Sequence, residues 1–289
     1  MAFLKRIDHV AVLVEDLDAA FDTYTTRLGF PVSWHRETHE SSRNAALWLG
    51  NASLELLQPL SEGSGPLGAF FRQAMETRGP GLFMVAFEPD GIERTVDGLR
   101  QRGAGVGDPN PGTVEGAHPR SYLTAVVSRR STPGLESFLC EYNPPFVPAD
   151  GGAGPMKIKK LDHVVIATHD LEGALALWER NVGLKPDASL DHPLGAGFKV
   201  ARLPIGESFL ELVQPVDEEG RFYEQVQQRG EGLFSISVEV EDLDEAVAFL
   251  RGNGAKVSDP EPSIWPNARL ARINQASTHG VSIQLIQRR

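Results

Sequence analysis

Ile7-Asp8-His9-Val10-Ala11-Val12 returns later in the chain as Leu161-Asp162-His163-Val164-Val165-Ile166, and each copy leads into an Asp-Leu pair and a stretch of helical spacing. Leu54-Glu55-Leu56-Leu57-Gln58-Pro59 returns as Leu210-Glu211-Leu212-Val213-Gln214-Pro215, and Arg78-Gly79-Pro80-Gly81-Leu82-Phe83 as Arg229-Gly230-Glu231-Gly232-Leu233-Phe234. The three pairs are offset by 154, 156 and 151 residues, so order and spacing hold almost without drift. An ordered repeat of this length means two copies of one domain. Each copy sets a histidine and a glutamate at matching strand positions.

The 289 residues accommodate two domains, each long enough to bury its own core. Charged residues at 23% and hydrophobic ones at 41% are ordinary for a soluble globular protein. A formal charge of −11 leaves no basic footprint, so nucleic acid is not an expected partner. The single cysteine, Cys140, excludes an internal disulfide and a CxxC zinc site and suits a reducing compartment. The first thirty residues do not read as a signal peptide, and no apolar run reaches the roughly 18 residues of a membrane span. The expectation is a cytoplasmic protein without a membrane partner.

Alternation over Ile7–Val14 predicts a strand, and Asp18–Arg27 has helical spacing that ends at Gly29. Three strands follow at Phe30–Trp34, Ala45–Leu49 and Ala52–Leu57, the last two joined by a Gly50-Asn51 turn. After a connecting helix over Leu67–Glu76, a second unit reads as strand Leu82–Phe87, helix Gly91–Arg102, and strands near Gly105, Tyr122–Val127 and Ser137–Tyr142. Pro144–Pro155 is rich in Pro, Gly and Ala and reads as a linker. The order then repeats, with helices near Leu171–Asn181, Arg221–Gln228 and Leu243–Asn253. The chain thus comprises four β-α-β-β-β modules, with a domain over 1–146, a linker over 147–156 and a domain over 157–289.

The D-H-V strand starts, the Asp-Leu helix starts, the LELLQP strand, the RGxGLF entry and the closing Ser277-Thr278-His279-Gly280-Val281-Ser282-Ile283-Gln284-Leu285 together resemble the vicinal oxygen chelate (glyoxalase/bleomycin-resistance/dioxygenase) superfamily. Each half is most similar to methylmalonyl-CoA epimerase. The resemblance implies an α+β fold in which four βαβββ modules form two half-open glyoxalase-like barrels. It also implies a divalent metal held by four strand residues. Carried onto this chain, the first ligand falls on His9 and His163, the second on Glu55 and Glu211, and the fourth on Glu141 and Gln284. The third, a histidine in the family, is Met84 in one half and Ser235 in the other.

Such oxygen and nitrogen ligands suit Mg²⁺, Mn²⁺, Co²⁺, Ni²⁺ or Fe²⁺. The resemblance implies a glyoxalase- or epimerase-type isomerase or lyase that acts on a small carbonyl substrate through a metal-stabilised enediolate, with Glu141 as base and the ligand count favouring the N-terminal half. A ring-cleaving dioxygenase would need His163, Ser235 and Gln284 as its ligands. A metal-free, ligand-sequestering barrel would need each buried glutamate neutralised by a side chain. Arg43 and Lys199, on the third strands, are the expected partners of Glu55 and Glu211; Lys199 is alternatively a substrate clamp or base. The duplicated halves are expected to form an internal pseudo-dimer in a monomer, or a homodimer. His192 and His279, in loops, are further histidines within conceivable reach of a ligand, whereas His118 carries no supporting pattern.

Overall fold

A computed structural model describes residues 3–63, 65–114, 119–144, 148, 154–191, 193 and 197–289. His118, His192 and most of the expected linker lie outside the described residues.

The N-terminal half runs β1 (Leu4–Leu13), α1 (Leu17–Asp22), β2 (Val32–Thr38), β3 (Ser42–Trp48), β4 (Ser53–Pro59), α2 (Gly65–Arg78), β5 (Gly81–Pro89), α3 (Ile92–Gln101), β6 (Asn110–Val114), β7 (Arg120–Val127) and β8 (Glu136–Asn143). The C-terminal half runs β9 (Ile158–Ala167), α4 (Leu171–Leu177), β10 (Ala188–Asp191), β11 (Phe198–Ile205), β12 (Ser208–Pro215), α5 (Arg221–Arg229), β13 (Gly232–Val240), α6 (Leu243–Gly252), β14 (Glu261–Pro262), β15 (Ala268–Ile273) and β16 (Ile283–Arg288). The strands form two eight-stranded half-barrel sheets, ordered β2-β3-β4-β1-β5-β8-β7-β6 and β10-β11-β12-β9-β13-β16-β15-β14. The fold is α+β, and the module order is the one that the repeat implies.

Helix starts follow from the Asp-Leu pairs. Asp16, Asp170 and Asp242 each accept a hydrogen bond from the backbone N–H three residues on, at 3.0, 2.9 and 2.9 Å, which satisfies donors that a helix leaves open. The glutamine of the LELLQP strand completes two of these starts. Gln58 Oε1 accepts from Leu17 N at 3.2 Å and Gln214 Oε1 from Leu171 N at 3.0 Å. The expected helices over Asp18–Arg27 and Leu171–Asn181 each pass into a π-helical turn, at Thr23–Arg27 and Trp178–Val182. The strand expected near Gly105 is a single bridge from Val106 to Val127, and regular pairing begins only at β6. Pro109 and Pro111 lack the N–H that a longer ladder needs, which suits β6 to the sheet edge.

The chain packs as two compact units. One comprises Met1–Asp8, Met84–Phe146 and His163–Phe234; the other comprises His9–Phe83, Val147–Asp162 and Ser235–Arg289. Each unit therefore joins one module from each sequence half. In the first, Phe87 meets Trp178 edge to face at 6.4 Å, and Asn181 Nδ2 donates to Ser131 O at 3.2 Å. In the second, the fully buried Tyr24 donates its hydroxyl to Thr278 O at 3.0 Å.

Candidate functional site

The clearest cluster of buried polar groups lies in the second unit, on three neighbouring strands. The parallel pairing of β1 with β4 sets His9 opposite Ser53 and Ala11 opposite Glu55, and the antiparallel pairing of β3 with β4 sets Ala46 opposite Glu55 and Asn44 opposite Leu57. Alternation of side chains then brings Asn44, Glu55 and His9 to one face. His9 Nε2 lies 3.3 Å from Glu55 Oε2, and Asn44 Nδ2 donates to Glu55 Oε1 at 2.6 Å. All three residues are more than nine-tenths buried. The Asn44 Oδ1 atom is buried without a hydrogen-bond partner.

The matching strands of the C-terminal half carry a different set, within the first unit. His163 Nε2 lies 3.9 Å from Glu211 Oε2. Opposite His163 stands Phe209, whose ring stacks on the imidazole at a centroid distance of 4.7 Å and an interplanar angle of 18°. Opposite Glu211 stands Arg202, where the N-terminal half has Ala46, and Val200 replaces Asn44.

Other expected site residues stand elsewhere. The β5–β8 register sets Phe138 opposite Ala86, while the β13–β16 register sets Gln284 opposite Ser237. The strand position of Gln284 is thus taken in the N-terminal half by Phe138, and Glu141 lies three residues beyond it. Glu141 Oε2 accepts the Ile92 N–H at 2.8 Å, at the start of α3. That helix begins after Gly91, which has no side chain to cap it, and Glu141 takes over the task.

The expected pairing of Arg43 with Glu55 and of Lys199 with Glu211 is not found. Arg43 stands opposite Gln58 and binds Asp18 at 3.0 Å; Lys199 stands opposite Gln214 and lies 3.6 Å from Asp191. Both strand partners direct their side-chain oxygens to a helix start, so Arg43 and Lys199 belong to the helix-facing side of their sheets. Gln284 Oε1 accepts from Ser237 Oγ at 3.1 Å. Met84 is buried, and Ser235 is fully buried with a hydroxyl that has no hydrogen-bond partner. His279 Nε2 lies 2.9 Å from Thr23 Oγ1.

Sequence reasoning missed Asn44 and Arg202. A count in steps of two from Glu55 and Glu211 across the hairpin turns would have found both.

Among the described residues, no group of three or more His, Cys, Asp or Glu side chains is arranged to hold a metal ion. The donor set widens once amides are counted. His9, Glu55 and Asn44 supply an imidazole nitrogen, a carboxylate and an amide oxygen, and the Asn44 oxygen is a buried acceptor without a donor. A hard or borderline divalent ion suits such donors, and a buried acceptor left alone is costly. The trio fits a divalent ion.

Comparison with known proteins bears on the whole chain. A family model described as a glyoxalase-like domain matches residues 7–160, and one described as the glyoxalase/bleomycin resistance protein/dioxygenase superfamily matches residues 162–267. The chain belongs to the vicinal oxygen chelate superfamily. Among superfamily relatives, the ethylmalonyl-CoA/methylmalonyl-CoA epimerase of Cereibacter sphaeroides is 31% identical over 132 residues, which cover 43% of this chain and 96% of that protein. The mitochondrial methylmalonyl-CoA epimerase of Dictyostelium discoideum is 25% identical over 46% of this chain and 80% of its own length. A mutant of 4-hydroxymandelate synthase from Streptomyces coelicolor superposes over 99% of this chain and 93% of its own, with a TM-score of 0.74 and 17% identity, a likeness of fold alone. No helix among the described residues is long and apolar enough to cross a membrane.

Proposed function

We propose that the chain is an enzyme of the glyoxalase or epimerase type, an isomerase or lyase that moves a proton next to the carbonyl of a small substrate. The observation that carries this reading is the buried Asn44 Oδ1 without a donor, beside the His9–Glu55 pair. The epimerase relatives support the reaction class. In this reading His9, Glu55 and Asn44 hold a divalent ion, and Asn44 supplies a donor that the Met84 position lacks. Such an ion supplies Lewis acidity toward a carbonyl oxygen, which makes the neighbouring C–H more acidic. The chain's own contribution is a preorganised site: burial excludes water, and three strands fix the donors before any substrate arrives. Glu141 and Lys199 are not assigned the base, because one caps α3 and the other is paired on the helix-facing side.

Elemental analysis of the purified protein, beside Glu55→Ala, Asn44→Ala and Glu211→Ala variants, tests the metal assignment. Stoichiometric metal lost from the first two and kept in the third is the expected result; metal lost only from Glu211→Ala, or no metal after incubation with Mn²⁺, Co²⁺, Ni²⁺ and Fe²⁺, overturns it. Deuterium exchange next to the carbonyl, followed by proton NMR across small ketones, keto acids and thioesters, tests the reaction class. Exchange that Glu55→Ala abolishes supports the class, and no exchange with any substrate counts against it.

A further inference from the structure

The two halves keep the histidine and glutamate at the same strand positions but exchange the residues around them. Ser53, Ala46 and Asn44 in the N-terminal half become Phe209, Arg202 and Val200 in the C-terminal half. The exchange removes a buried amide and installs a cation and an aromatic ring. Conservation of the fold alone does not require it, since the N-terminal half builds the same strands with small residues.

The new residues form a connected stack. The His163 imidazole lies flat on Phe209, and the Arg202 guanidinium carbon stands 5.1 Å from the centre of the same ring. The guanidinium grips the Asp187 carboxylate with two bonds, Nε to Oδ1 and Nη2 to Oδ2, both 2.8 Å. This parallel fork is the geometry by which arginine selects a planar carboxylate over other anions. Asp187 sits just before the edge strand β10, and its side chain is 41% exposed against 28% for Arg202. An ion pair that open to water contributes little to stability and exchanges readily.

We propose that Arg202 and Phe209 form a binding site for a small carboxylic acid, with Asp187 as an internal stand-in that occupies the fork until the ligand arrives. The ligand carboxylate replaces that of Asp187 on the guanidinium, and the ligand's apolar body packs against the Phe209 ring. The site requires no metal and is separate from the His9–Glu55–Asn44 cluster.

Benzoate and its neutral isostere benzamide are the probes, titrated into the full chain by NMR or calorimetry. Benzoate binds and benzamide does not. Arg202→Gln weakens benzoate by at least about tenfold, and Arg202→Lys recovers part of the loss, since lysine keeps the charge without the fork. Asp187→Asn strengthens benzoate several-fold by removing the competing carboxylate. A purely structural Arg202–Asp187 bridge predicts the contrary, because both substitutions break the same bridge and would shift binding together. Equal binding of the two probes, no benzoate binding at millimolar concentration, or parallel effects of Arg202→Gln and Asp187→Asn would each overturn the proposal. Glu55→Ala, which removes the metal in the reading above, leaves benzoate binding unchanged, so the two proposals fail independently.

Discussion

Phe138 stands opposite Ala86 across the parallel β5–β8 ladder, in the place that Gln284 takes opposite Ser237. A side chain without a donor thus fills the fourth-ligand position of the N-terminal half, and Glu141 serves the start of α3 instead. Glu141→Ala is expected to cost about 0.5–2 kcal/mol of stability, the usual range for a lost helix cap, in urea unfolding. It should leave metal content unchanged; loss of metal in this variant would return Glu141 to the ligand set.

Asn44 donates to the buried Glu55 carboxylate. In metal-free protein, Asn44→Ala leaves that oxygen without its donor and should cost about 1–3 kcal/mol in urea unfolding. The loss should shrink in Asn44→Ala/Glu55→Gln, where the carboxylate is gone as well. Equal losses in the single and double variants would show that Asn44 does not support Glu55.

Tyr24 gives a pH signature. Burial pushes its hydroxyl far above the ordinary phenol value of about 10. Above that value the unfolded chain releases the proton while the folded chain keeps it, so the folded state holds more protons and stability falls as pH rises. The contribution is complete below about pH 10 and is lost progressively above it. Tyr24→Phe should flatten this alkaline decline and cost about 1 kcal/mol at neutral pH for the lost bond to Thr278 O. An unchanged alkaline slope would mean that another group controls it.

Asp162 is 1% exposed and is held by Arg288 through two 2.7 Å bonds. Removal of one partner from a buried pair costs about 3–5 kcal/mol, and a quarter-exposed Arg288 places Arg288→Met near the lower end. Asp162→Asn in the same chain should recover part of that loss. A double-mutant cycle by thermal unfolding measures it, and additive effects would show that the pair is not coupled.

Gly29 has a φ of +70°, and a Cβ there would lie 2.6 Å from Pro155 Cγ and 2.7 Å from the Phe249 ring. Gly29→Ala is expected to lower stability by about 1–3 kcal/mol, since backbone strain and overpacking act together. A variant as stable as the parent would show that this approach relaxes freely.

The modules were legible because alternation and turn chemistry are local signals. The helix starts at Asp16, Asp170 and Asp242 needed only the capping chemistry of a short side chain. The candidate site was legible in part. His9 and Glu55 meet, as do His163 and Glu211, because each pair lies on strands whose motifs are written twice in the sequence. Glu141 was misplaced by three residues, which reverses the face of the strand, since side chains alternate with a period of two. Arg43 and Lys199 failed for a related reason: each stands opposite a glutamine that caps a helix, not opposite the buried glutamate.

By itself the sequence determined the duplication, the βαβββ order and the superfamily, because periodicity, capping and ordered motifs are read along the chain. Tertiary structure alone decided which residues share a face and which modules pack into one unit. Strand register and module pairing arise from residues far apart in sequence. A shift of one residue there exchanges the buried face for the other, as Phe138 and Glu141 show.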